Sequence, residues 1–147
     1  MIIDVINKDL KTAMLAGDKP QVEVLKGLKT ALQYKAVSKG AGVQLTEEES
    51  LATLKKEQKK RLETAEIYQK ANDSDRANQE LYEKSLIDKY LPASMSEDAL
   101  RAVIDEQIHK LGGLDNKNMG QIIGAAKKAA GPTADGGMIA KLVKERL

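Results

Sequence analysis

Four lysines near the end of the chain carry its clearest chemistry. Lys127 and Lys128 close one helical stretch, and Lys141 and Lys144 lie three apart on the next. From Gly120 onward five bases face two acids, although the chain as a whole is only +2. Cations grouped in this way suit phosphate contacts; the alternative is a solvated face with a favourable charge at a helix C-terminus. Gly120 and Gly124 are four apart on the same stretch, with Ala125, Ala129 and Ala130 extending a small-residue surface. Small side chains permit close backbone approach, either by a neighbouring helix of the same domain or by an outside partner. Gly131, Asp135 and Gly136 form the turn between the two stretches. Amide groups at such a turn suit an anion, but the Asp135 carboxylate would occupy them and repel it. A plain turn with an N-cap is the favoured reading.

Catalytic constellations are hard to assemble. The chain has no cysteine and a single histidine, His109, beside Ile108 near a helix end, a surface or capping position. A Cys–His pair, a Ser–His triad or a His/Cys metal site needs more than that. No glycine-rich loop ends in Lys-Ser/Thr, and no carboxylate lies in an apolar stretch that would raise its pKa. We therefore expect no catalytic residues, no metal and no cofactor.

The elements that must position these residues are helical. With neither Phe nor Trp and only four Tyr, the core must be aliphatic, which suits helix-on-helix packing. Ile3, Ile6, Leu10 and Met14 keep helical spacing until Gly17-Asp18. Pro20 then opens a second helix that would bury Val22, Leu25, Leu28, Leu32 and Tyr34. Thr46-Glu47-Glu48-Glu49 reads as a capping box, with Glu49 reaching back to the Thr46 amide. It opens a third helix with Leu51, Leu54, Leu62, Ala65 and Tyr68 on one side and the Lys55–Arg61 run on the other. That run reads as a solvated face, supported by the Glu57/Arg61 and Lys59/Glu63 spacings. Scattered tyrosines at buried-looking positions leave no stacking platform for single strands. A fourth helix stops at Pro92. Ser96 caps a fifth, built on Leu100, Val103, Ile104, Ile108 and Leu111 and closed by Gly112-Gly113; two short helices follow. The fold class expected is all-α, with a four-helix part over 1–92 and a three-helix part over 93–147. The apolar start is short and lacks a cationic leader, and no apolar run reaches membrane-spanning length, so a cytoplasmic protein is expected.

Tyr90-Leu91-Pro92, Met95 to Leu100, Met119-Gly120 with Gly124, Ala134-Asp135-Gly136 and Leu142-Val143 together resemble the YqeY-like family. The C-terminal part of that family is similar to the tail domain of the B subunit of the aspartyl/glutamyl-tRNA amidotransferase. The resemblance implies two helical bundles and a tail that helps hold the tRNA body while other domains do the chemistry. It also implies the family's label of carbon–nitrogen ligase with glutamine as amido-N-donor, for which these residues supply no machinery. Gly131-Pro132-Thr133-Ala134-Asp135 stands where the family more often has a basic residue between the Gly and the Ala-Asp-Gly, and Ala129 and Ala130 stand near a stretch that is often more basic, which thins the positive surface. The expected function is an accessory protein, non-catalytic on its own, that binds tRNA or a tRNA-modifying or aminoacylation enzyme. It would use Lys127, Lys128, Lys141 and Lys144. The rivals are a protein–protein interaction module without nucleic-acid binding, and an enzyme with a pocket around a perturbed carboxylate or lysine.

Overall fold

The computed structural model describes residues 1–132 and 134–147; Thr133, part of the turn read above, lies outside the described residues. Seven α-helices and no strand are found among the described residues. They are α1 (Ile2–Ala16), α2 (Lys19–Lys39), α3 (Glu47–Lys70), α4 (Ser74–Asp88), α5 (Glu97–Lys110), α6 (Met119–Ala130) and α7 (Gly136–Lys144). The chain divides into two compact units, Met1–Pro92 and Ala93–Leu147. The all-α expectation, four helices followed by three, describes the protein. No helix is long and apolar enough to cross a membrane among the described residues.

Local chemistry sets the helix ends. Gly17 takes the left-handed conformation (φ 69°) that ends α1, a position where a Cβ would be strained. Asp18, Thr46, Asp73, Ser96 and Asp135 each accept a backbone N–H from the first turn of the helix they precede. Each cap satisfies a donor that the helix itself leaves orphaned. The capping box at α3 is only half formed. Thr46 Oγ1 accepts from the Glu49 amide at 3.1 Å. The Glu49 carboxylate instead meets Lys39 Nζ at 2.5 Å, because a full charge is a stronger partner than a neutral amide. That hydrogen bond holds the Glu49 carboxyl below its usual range.

In the first unit the core gathers Ile6, Leu10, Leu25, Leu28, Leu54 and Ile87, among others. The buried stripe of α1 is Ile6, Leu10 and Ala13 rather than one ending at Met14, which is exposed. One step along a helix rotates a side chain by about 100° and takes it off the stripe. Leu62 is likewise largely out of the core, whereas Leu54 and Ala65 are buried on α3 as expected, together with Ser50. The Tyr90 hydroxyl donates to Asp9 Oδ2 at 2.6 Å and ties the chain beyond α4 to α1. Burial first, and then this bond, push the phenol well above its ordinary value. A raised folded-state pKa contributes stability that is complete below the unfolded value, about 10, and is lost as pH rises beyond it. Tyr90→Phe is therefore expected to cost about 1–2 kcal/mol near neutrality. It should also flatten the alkaline limb of a stability–pH curve measured by urea unfolding.

The second unit closes on a smaller aliphatic core. Leu100 and Ile104 of α5, Ile122 and Ala126 of α6, and Ile139, Leu142 and Val143 of α7 are buried together. Leu111, expected inside, sits at the end of α5 and is more than one-third exposed.

Candidate nucleic-acid interface

Helix α6 is amphipathic in an unusual sense. Its buried side is Ile122 and Ala126, and its exposed side runs Gly120, Gly124, Lys127 and Lys128. These positions follow the helical repeat, so they share one face. A Cβ built on Gly120 or Gly124 meets no neighbouring atom within 4 Å. Packing against α5 is therefore not what these two glycines serve; they leave a smooth, open strip beside two cations. Gly→Ala at either site should stabilise the protein, because a helical glycine costs roughly 0.8–1 kcal/mol relative to alanine and here the added methyl meets nothing. Denaturant midpoints of the two single variants measure this directly.

Helix α6 ends at Gly131, whose positive φ of 98° suits glycine. Asp135 caps α7 by accepting from Gly137 N–H at 2.9 Å and Met138 N–H at 3.3 Å. The start of α7 is thus satisfied by the protein's own carboxylate, as a plain turn requires. The Lys127 stem lies over this turn: a Cβ on Gly136 would sit 3.6 Å from Lys127 Nζ and 3.7 Å from its Cε. The glycine leaves room for the lysine, and the cation is held near the capping end of α7.

On α7, Ile139, Leu142 and Val143 are buried while Lys141 and Lys144 are exposed. The other cations of this unit are largely neutralised. Arg101 pairs with Glu145 at 3.1 Å, Arg146 with Asp105 at 2.9 Å and Lys110 with Glu106 at 3.0 Å. Among the described residues, Lys127, Lys128, Lys141 and Lys144 make no ion pair. Lys117, exposed in the turn before α6, also makes no ion pair among the described residues, so four of the five unpaired cations of this unit lie on α6 and α7. His109 is exposed in the last turn of α5, as its position implied.

Chemistry of other kinds finds little footing. Among the described residues no three of His, Asp and Glu converge as metal ligands. One carboxyl is pushed up: burial, then the neighbouring Glu80, raise Glu83 in a shallow α3–α4 groove that also holds Glu57, Lys60 and Arg61. Glu57 there is paired with Arg61, so the group reads as a surface charge network. The Lys59/Glu63 pair expected on α3 is not among the ion pairs of the described residues.

Two all-helical units, the smaller bearing an open basic face, define an all-α protein of two compact parts. The chain belongs to the YqeY family: the family described as Yqey-like protein matches residues 3–147. No curated protein matches it.

Proposed function

We propose that this protein is a cytoplasmic tRNA-binding accessory protein without catalysis of its own, whose second unit works as the amidotransferase tail does. The observation that carries this reading is the contrast between cations. The arginines of the second unit are paired with acids, whereas the four lysines of α6 and α7 stand exposed and unpaired among the described residues. Free lysines on rigid helices suit the phosphates of folded RNA, where shape and backbone, not base edges, are read. The bare Gly120–Gly124 strip lets that backbone come close to α6. Titrating labelled bulk tRNA at several salt concentrations tests it. Three to four phosphate contacts give a log–log salt slope of about −3. No binding even at low salt would overturn the proposal.

A further inference from the structure

The first unit carries a second surface with nucleic-acid chemistry. Helix α2 holds five lysines and one acid, Glu23. Its face Gly27, Thr30, Ala31, Tyr34, Lys35 and Ser38 lines a groove of about 490 Å³, closed on the other side by Thr53, Lys56 and Glu57 of α3. Tyr34, expected in the core, is 79% exposed on this groove. The floor is made of small residues, and the walls carry a free ring and two exposed lysines. Lys35 and Lys56 make no ion pair among the described residues. The two acids nearby are already engaged: Glu57 by Arg61, and Glu49 by Lys39. Ser38 Oγ donates to the Lys35 carbonyl at 2.6 Å, and Thr53 Oγ1 donates to the Glu49 carbonyl at 2.8 Å. Both hydroxyl protons are thereby committed, so each oxygen offers the groove only lone pairs.

We propose that the α2–α3 groove binds a nucleotide of single-stranded RNA. The base stacks on Tyr34, the flanking phosphates meet Lys35 and Lys56, and the ribose 2′-hydroxyl donates to Ser38 Oγ or Thr53 Oγ1. A ring, two cations and two acceptors match the three parts of a ribonucleotide. An acidic protein helix would use the cations but leave the acceptors without donors. The site belongs to the first unit and does not depend on the lysines of α6 and α7.

The test is anisotropy of a labelled short oligouridylate with the full-length chain. Tyr34→Ala should weaken binding about tenfold, within what base stacking on an aromatic side chain is worth. Tyr34→Phe keeps the ring and should bind as the parent does. Because Tyr34 is exposed, the truncation leaves the core untouched. Lys35→Glu with Lys56→Glu should abolish binding, and the parent's salt slope should be about −1.4, as two contacts on a single strand require. Gly27→Gln fills the groove floor without changing charge and should also weaken binding. The deoxy strand should bind several-fold more weakly, having lost the 2′ donor. Absence of binding by the parent at low salt, indifference to Tyr34→Ala, or equal affinity for the deoxy strand would each overturn the proposal. So would loss of binding only when Lys128 and Lys141 are reversed. That pair is tested against folded tRNA, so failure of one proposal is distinguishable from failure of the other.

Discussion

Ile139→Ala is expected to unfold the second unit, or nearly so. Ile139 has no exposed surface and sits among Ile122, Leu142 and the α5 leucine and isoleucine. Truncating such a residue costs about 2–5 kcal/mol, from lost apolar burial and from the cavity left behind. A unit spanning only Ala93–Leu147 carries on the order of 5 kcal/mol in total. With no cysteine to form a disulfide, the loss consumes most of it. Hydrogen exchange read by mass spectrometry should show protection vanishing from α5, α6 and α7. Leu111→Ala, at a partly exposed site, should cost on the order of 1 kcal/mol or less. Equal behaviour of the two variants would mean that the core is not where burial places it.

Reversing Lys128 and Lys141 to Glu together should reduce affinity for folded tRNA by roughly fiftyfold or more near 0.1 M salt. Each phosphate contact contributes a salt exponent of about 0.9, hence close to a factor of eight at that concentration. The double variant loses two contacts and adds repulsion, and the salt slope should flatten by about two. Lys8→Glu with Lys11→Glu changes net charge equally on exposed positions of α1 and serves as the control. If both double variants weaken binding alike, the effect is global charge and the α6–α7 face has no special part. If neither does, tRNA recognition does not run through these lysines.

The helix framework was legible because its punctuation is local. Gly17, Asp18, Thr46, Ser96 and Asp135 act within three residues of themselves, so their types disclose the helix ends without knowledge of the fold. The four lysines were legible as a group for the same reason. What escaped depended on partners distant in sequence. Glu49 was read with Thr46 but found Lys39, which only the packing of α2 beside α3 supplies. Met14 and Leu62 match a helical repeat on paper, yet Ala13 is buried on α1 and Ser50 on α3, because the actual stripe is fixed by which neighbour each helix meets. Tyr34 was assigned to the core by type and spacing. Position i+2 after Leu32 turns it to the opposite side of α2, where no helix covers it. Gly120 and Gly124 signalled close packing, and only the emptiness around them separates an open strip from a packed one.

The aliphatic make-up of the second core has an optical consequence. Tyr34, Tyr68, Tyr82 and Tyr90 all belong to Met1–Pro92, and the chain has neither Trp nor Phe. Near-ultraviolet absorbance and intrinsic emission therefore report on the larger unit alone, while peptide circular dichroism sums both. Subtracting one melt from the other isolates the transition of the silent unit without any label. A tryptophan placed at exposed Gln121 would give it a voice of its own.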